Sequence, residues 1–137
     1  MFSLDYKENA IPSVAELEYL YEQVGWYNYI STDFNLETIL QNSDYCISVW
    51  DGKKLVGLIR VLSDNYYVAL IQDILVDPEY QRQGIGKKLL SMTLEKFSNM
   101  KQIILLTDDT TKTKSFYKSL DMTELQDCNC TGFMMLP

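Results

Sequence analysis

Residues 72–90 read QDILVDPEYQRQGIGKKLL and combine the signals of a strand, a polar loop and a helix start. The apolar residues before Asp77 predict a strand, and Pro78 ends it because proline has no N–H to donate to a sheet. Gly84 and Gly86 follow in the loop, and two leucines then open an amphipathic helix. Unpaired N–H groups at a helix start bind anions, and glycine lets an anion approach the main chain. The stretch therefore predicts an anion-binding turn.

Basic side chains concentrate at this turn, although the chain as a whole is acidic. Lys and Arg total 12 against 19 Asp and Glu, a net charge of −7, yet Arg82, Lys87 and Lys88 all lie here. The turn is not a Walker phosphate loop, because Lys88 stands where Ser or Thr is required. It is not a dinucleotide fingerprint either, because Leu89 replaces the third glycine. A different kind of polyanionic ligand is indicated.

Composition excludes several classes of function. The chain has 137 residues, which predicts one domain spanning 1–137. It contains no histidine, which excludes Ser-His-Asp triads and His-ligated zinc, and its 3 cysteines cannot complete a four-cysteine zinc site, so no metal is predicted. The net negative charge argues against binding to nucleic acid. No apolar run is long enough for a membrane span, and acids occupy the N-terminal segment, so a cytoplasmic location without membrane contact is predicted.

Periodicity along the rest of the chain predicts an α+β fold with helices covering a central mixed sheet. Ser13 and Glu16 form a capping box for the first helix. Asp51-Gly52 predicts a two-residue hairpin turn. The predicted elements are a strand at 2–6, helices at 14–24 and 35–41, a hairpin at 45–62, a strand at 66–76, a helix at 85–98, a strand at 102–107, a helix at 111–120 and two short strands between 122 and 136.

Two motifs resemble the GNAT superfamily of N-acetyltransferases. The acetyl-coenzyme A loop of that superfamily has the pattern [QR]-x-x-G-x-[GA], which Gln81, Gly84 and Gly86 fill. Residues 115–122 are similar to the A-x-x-F-Y-x-x-x-G-F end of a family helix. Asp121 stands at the usual glycine there and tolerates the left-handed conformation better than most residues. The hairpin and the strand after it look most like the branch of plant-type arylalkylamine (serotonin) acetyltransferase-like proteins.

The resemblance implies a GNAT-like domain in which two parallel strands splay apart and the pantetheine arm of acetyl-coenzyme A fills the wedge. An N–H near Ile74 or Leu75 would face the thioester carbonyl. Thr110 stands where the family often has a cofactor-contacting asparagine. The cofactor contacts carried over by position are Ile74, Leu75 and Val76 on the strand, Gln81, Arg82, Gln83, Gly84, Ile85, Gly86 and Lys87 in the turn, and Thr110.

The resemblance also implies acetyl transfer from acetyl-coenzyme A to a primary amine by direct attack in a ternary complex. Tyr117 matches the family tyrosine that protonates the departing thiolate, and a phenol remains protonated at neutral pH. Without histidine, a carboxylate or a water relayed through one must serve as base. Asp73 is the first candidate, placed by strand alternation on one face with Ile71 and Leu75. The alternative for Asp73 is a purely structural pairing.

The acceptor is expected to be a small-molecule amine or a peptide amine, since an acidic protein attracts cations. Aromatic residues offer a wall for such a ligand by stacking or cation–π attraction, with ordinary packing as the alternative. A homodimer formed through the last strands is also expected. A non-catalytic module that binds or senses coenzyme A is the alternative function. The expected wall residues are Trp26, Tyr27, Tyr29, Phe34, Tyr66 and Tyr67.

Overall fold

Five strands form one sheet in the computed structural model, which describes residues 3–30 and 33–137. Their spatial order follows the chain, with three antiparallel pairs from β1 to β4 and a parallel β4–β5 pair. This confirms the mixed, mostly antiparallel sheet. The first predicted strand begins at Leu4, while Phe2 lies outside the described residues. The strands are β1 Leu4–Glu8, β2 Tyr45–Asp51, β3 Lys54–Ser63, β4 Val68–Val76 and β5 Gln102–Leu105.

Four α-helices and three short 3-10 turns complete the secondary structure of the described residues. The capping box is confirmed: Ser13 Oγ accepts from the Glu16 N–H at 3.2 Å, and Glu16 Oε1 accepts from the Ser13 N–H at 3.0 Å. The helices are α1 Val14–Gln23, α2 Leu36–Gln41, α3 Ile85–Lys96 and α4 Thr111–Lys118, and the 3-10 turns are Tyr27–Ile30, Pro78–Tyr80 and Leu125–Cys128.

Helices cover both faces of the sheet, as expected. Leu58 of β3 belongs to a buried cluster with Leu17 of α1 and with residues of α2. Its neighbour Gly57 points to the opposite face, where a Cβ would lie 3.2 Å from Ile85 Cγ2 at the start of α3. Glycine at this position therefore allows α3 to pack closely on β3, and this contact sets the position of the predicted anion turn.

A β-bulge in β4 corrects one expectation about side-chain direction. Arg60 of β3 pairs with Asp73, whereas the next β3 residue, Val61, pairs with Ile71, so Gln72 is an extra residue in β4. Neighbouring residues of β3 point to opposite faces, and so do Ile71 and Asp73. The prediction that these two share a face was wrong, because simple alternation does not hold across a bulge. Asp73 lies on the α1 face of the sheet.

The segment from 122 to 136 corrects a second expectation. It forms the 3-10 turn Leu125–Cys128 and, among the described residues, no strand. The Cys130 N–H donates to the Leu125 carbonyl and the Asn129 N–H to the Gln126 carbonyl. These main-chain donors are therefore used in local turns and not in hydrogen bonds to a neighbouring strand. The segment belongs to a compact unit, Leu106–Pro137, which is separate from the unit Met1–Leu105 that holds the sheet.

Candidate active site

The outer edge of β4 is open over its second half. Val68 to Ile71 pair in parallel with Gln102 to Leu105, where β5 ends. Residues 73–76 are paired with β3 on their other side. An extended ligand can bond to the main chain of such an edge as an added strand would. The predicted cofactor contacts Ile74, Leu75 and Val76 all lie on it.

The loop after this edge holds an unusual main-chain conformation. Asp77 Oδ1 accepts from the Glu79 N–H at 2.9 Å and begins the 3-10 turn. Gln81 Nε2 donates to the Val76 carbonyl at 3.2 Å and folds the loop back on the strand end. Arg82 has φ +65° and Gly84 φ +80°. A left-handed arginine is strained, and such residues cluster at ligand sites.

Helix α3 begins with unpaired main-chain donors beside this loop. The first helical bond runs from the Lys88 N–H to the Gly84 carbonyl at 2.9 Å, so the N–H groups of residues 84–87 precede it. No acidic residue lies in the first helical turn, and a Cβ at Gly84 would point into open space. The helix dipole and the exposed Lys87 add positive potential. This arrangement fits the pyrophosphate that the resemblance implies, with every predicted loop contact in the same turn.

A lysine ties the start of the loop to the β2–β3 hairpin. Asp77 is 2% exposed, and its Oδ2 atom has no hydrogen bond, but Lys54 Nζ lies 3.7 Å away. The same ammonium is 3.6 Å from Glu79 Oε2. Tyr80 donates its hydroxyl to Asp51 Oδ2 at 2.6 Å, and this hydrogen bond raises the pKa of Tyr80 to about 12. The loop is therefore held against the β2–β3 hairpin by ion pairs and a hydrogen bond, in addition to the hydrogen bonds of its own turns.

Lys54→Met is expected to lower the free energy of unfolding by about 1–2 kcal/mol, because it leaves the buried Asp77 carboxylate without its counter-charge. The loss is smaller than for a fully buried pair, since Lys54 is partly exposed to water. Urea denaturation measures it, with Lys53→Met as the matched exposed control. Equal stability of the two variants would contradict this role.

Asp73 is the centre of a buried hydrogen-bonded network. Its Oδ2 atom accepts from Arg60 Nε at 2.7 Å and from the Tyr21 hydroxyl at 3.0 Å, and its Oδ1 atom from the Tyr29 hydroxyl at 2.8 Å. Burial first, and then the Asp73 charge, raise the pKa of both tyrosines, so both remain donors. Arg60 Nη1 also donates to Ser43 Oγ at 3.2 Å. These contacts support the structural alternative for Asp73, because protonating it would leave Arg60 without its counter-charge.

Two of the expected wall residues, Trp26 and Tyr29, have rings that lie close to each other at this network. Trp26 and Tyr29 rings lie 6.3 Å apart, and Tyr29 is 4.9 Å from Tyr21. Four others are exposed: Tyr27 by 65%, Phe34 by 68%, Tyr66 by 86% and Tyr67 by 52%. The last two lie in the β3–β4 connection, where Asp64 Oδ1 accepts from their N–H groups.

Tyr117 and Thr110 lie in the unit Leu106–Pro137. Tyr117 is half-buried on α4, and burial raises the pKa of its phenol. Thr110 is the N-cap of α4, and its hydroxyl accepts from the Thr113 N–H at 3.2 Å. Asp121 has φ +64°, the left-handed conformation expected where relatives have glycine. Tyr117 therefore keeps its proton at neutral pH, as a donor must.

Gln72 is a candidate functional residue that sequence reasoning missed. It is exposed, although its neighbours Ile71 and Asp73 are buried, and it occupies the bulge where β4 and β5 part. A signal was present, since the pair Gln72-Asp73 interrupts the apolar run ALIQDILV, but alternation alone does not show a bulge.

Within residues 3–30 and 33–137, no helix has the length and apolarity needed to cross a membrane. The same part of the chain contains no group of three or more His, Cys, Asp or Glu side chains arranged to hold a metal ion.

Comparison with known proteins agrees with this geometry. A family model described as "Acetyltransferase (GNAT) domain" matches residues 5–131. The chain is 58% identical over 38 residues, 28% of its length, to the chloroplastic GCN5-related N-acetyltransferase 2 of Arabidopsis thaliana, and covers 15% of that protein. It is 31% identical over 109 residues to the uncharacterized N-acetyltransferase ycf52 of Pyropia yezoensis, with 77% of this chain and 62% of the relative covered. The chain thus spans less than two thirds of both relatives.

Among solved structures, a GNAT family acetyltransferase from Streptococcus pneumoniae superposes with a TM-score of 0.87 at 34% identity, covering 98% of each chain. By its family model and by this relative, the chain belongs to the GNAT acetyltransferase family.

Proposed function

We propose that the chain is an acetyl-coenzyme A-dependent N-acetyltransferase that transfers an acetyl group to a primary amine. The observation that carries this proposal is the continuity of the open edge at residues 72–76 with the donor-rich start of α3. An extended arm and a pyrophosphate are the two parts of coenzyme A that such a pair of sites would bind. The GNAT family uses acetyl-coenzyme A as its acetyl donor, which favours catalysis over a sensor role.

In the proposed complex, the pyrophosphate accepts from main-chain N–H groups between Arg82 and Lys87. The pantetheine arm lies along Ile74, Leu75 and Val76. An N–H near Ile74 or Leu75 bonds the thioester oxygen and stabilises the negative charge that develops on it during attack. Thr110 takes the place of the family asparagine. Because its hydroxyl already caps α4, its contribution is smaller than that of an amide.

The transfer itself needs no acyl-enzyme. The amine nitrogen attacks the thioester carbon, the C–N bond forms, and the C–S bond breaks to release a thiolate. Tyr117 gives its proton to that thiolate, and the proton lost by the nitrogen passes to water. Asp73 as the base remains a prediction, and the contacts of its carboxylate favour a role in holding Tyr21 and Tyr29.

For the acceptor we propose a cationic arylalkylamine, in keeping with the branch that the sequence resembles. The paired rings of Trp26 and Tyr29 and the net charge of −7 support a ligand with both an aryl group and an ammonium. A peptide amine is the alternative. The homodimer and the cytoplasmic location remain predictions.

Gly84→Ala tests the binding of acetyl-coenzyme A at the turn before α3. At φ +80° an added Cβ is strained, so the turn relaxes and misaligns its N–H groups, and we expect the Kd of acetyl-coenzyme A to rise about 10-fold. Gly25→Ala is the matched control, because Gly25 has φ +82° and equally open surroundings, but lies at the end of α1. Calorimetric titration of both variants measures the effect. Equal Kd values for Gly84→Ala and the unmodified chain would contradict the proposed site.

The reaction is tested with tryptamine, tyramine, spermidine and a peptide with a free N-terminus as acceptors. Release of free coenzyme A with one of them supports the enzyme. Tight binding of acetyl-coenzyme A without turnover of any acceptor would favour the sensor. Stronger thermal protection by ATP or NAD than by coenzyme A would instead indicate a nucleotide-binding protein.

A further inference from the structure

One edge of the sheet lacks the charges that usually protect a sheet edge. β5 is the last strand of the sheet, and within residues 3–30 and 33–137 its one partner strand is β4. Its sequence QIIL carries no charge, whereas β1 at the opposite edge carries Asp5, Lys7 and Glu8. Edges are normally blocked by charges, prolines or bulges, because their free N–H and C=O groups can pair with another chain. The β5 edge is therefore suited to receive a further strand.

An apolar run in the same chain is left uncovered. Residues 133–136, which read FMML, lie outside every helix and strand, and each is between 72% and 96% exposed. Single exposed apolar residues are ordinary, but a contiguous exposed group indicates a contact with another surface. These four residues, called the apolar run below, have the composition of a buried strand without a place in the sheet.

The apolar run begins beside the residue that follows β5. A Cβ built on Gly132 would lie 4.0 Å from Leu106 Cδ2, and Leu106 comes directly after β5 in the chain. The run also matches β5 in length, since each has four residues. A single two-fold axis can therefore bring each run to the β5 edge of the other copy, which gives a closed, symmetric contact.

Charge and area both favour a second copy of this chain as the partner. Two copies with a net charge of −7 repel each other, but residues 102–107 and 129–137 contain no charged side chain, so these segments can approach each other. Covering four large apolar side chains on each copy buries roughly 1,000 Å² or more, the area that a specific interface needs. The chain thus carries both halves of a self-complementary contact.

We propose that the apolar run of one copy adds as a strand to the β5 edge of a second copy, and that the exchange is reciprocal, so that the protein is a two-fold homodimer. The strand pattern of residues 133–136 is then satisfied between chains, which explains why the single chain forms no strand there. β5, the parallel partner of β4, becomes paired on both sides. The inference does not depend on acetyl transfer, so it is tested separately from the proposed function.

Sedimentation analysis of the oligomeric state is the first test. The unmodified chain is expected to sediment with twice the mass of one chain at micromolar concentration. Met135→Lys is expected to raise the dimer Kd about 100-fold or more, because each copy would bury an ammonium without a partner. The substitution makes the net charge less negative, so added repulsion does not explain dissociation. Tyr66→Lys is the matched control: it replaces an 86%-exposed ring with the same charge and should remain dimeric.

Two proline substitutions separate strand pairing from apolar contact alone. Neighbouring N–H groups of a strand point to opposite sides, so one of Met134→Pro and Met135→Pro removes a donor that faces β5. At least one of these variants is therefore expected to be monomeric. Hydrogen exchange gives a second readout, because the outward-facing amides of β5 should exchange about 10-fold more slowly in the dimer than in Met135→Lys.

A monomeric unmodified chain overturns the inference, including one whose β5 amides are protected by its own apolar run. A dimer that survives Met135→Lys and both proline substitutions overturns it as well, and so does equal dissociation of Tyr66→Lys. All the substituted side chains are exposed, so the single chain should keep its fold, which far-UV circular dichroism checks. Dilution of the unmodified chain below the dimer Kd, where β5 amides should exchange faster, needs no variant.

Discussion

Tyr117→Phe is expected to lower kcat about 100-fold, the usual scale for losing a general acid. The substitution removes the hydroxyl and keeps the ring, so the packing against Phe116, whose centroid is 5.0 Å away, is retained. Because the lost interaction exists only as the thiolate departs, the Kd of acetyl-coenzyme A and the KM of the amine should change little. Steady-state kinetics and calorimetry measure these constants.

The pH dependence provides a second test of the same residue. Burial raises the Tyr117 pKa above its ordinary value of 10.0, so the phenol donates at every pH below that value and the rate falls only as the pH rises through the raised pKa. This fall at alkaline pH should be absent from the residual activity of Tyr117→Phe. Tyr19→Phe, which removes a hydroxyl from an exposed tyrosine of α1, is the control. A Tyr117→Phe enzyme with kcat near that of the control would exclude Tyr117 as the acid.

Much of the fold could be predicted because its signals are local. The turn at Asp51-Gly52 needs a positive φ, which Gly52 adopts at +60°. The cap at Ser13 depends on a residue only three positions away. The strand, loop and helix of residues 72–90 follow from proline, glycine and apolar spacing alone, and the structure ends β4 at Val76 and begins α3 at Ile85, as these signals predicted.

The features that the sequence did not reveal depend on residues far apart in the chain. The bulge at Gln72 is defined only by the pairing of β4 with β3. The alternation of apolar and polar residues therefore could not predict on which face of the sheet Asp73 lies. The partners of Asp73 are 13, 44 and 52 positions away. The apolar run at 133–136 satisfied a strand pattern, but its side chains are exposed and Phe133 is 96% exposed. A pattern shows which residues favour burial, whereas tertiary pairing decides whether they are buried.

Arg60→Met is expected to lower the free energy of unfolding by about 3–5 kcal/mol, because it leaves the 2%-exposed Asp73 carboxylate without its cation. Asp73→Asn should cost a similar amount, since it leaves the guanidinium of Arg60 unpaired instead. The double variant removes both charges and should be clearly more stable than the sum of the single losses predicts. Lys118→Met, which breaks an exposed ion pair with Glu124, should cost less than about 1 kcal/mol.

The same three variants decide between the two roles of Asp73. If Asp73 is structural, each single variant loses kcat because its unpaired buried charge disturbs the folded network, and the double variant, which has no such charge, regains kcat when all are measured at a temperature where they are folded. If Asp73 is the base, the double variant regains stability but stays inactive, because its amide cannot take the amine proton. Urea denaturation and kcat on the same preparations separate the outcomes. Since the carboxylate already accepts from Arg60, Tyr21 and Tyr29, we expect stability and kcat to recover together.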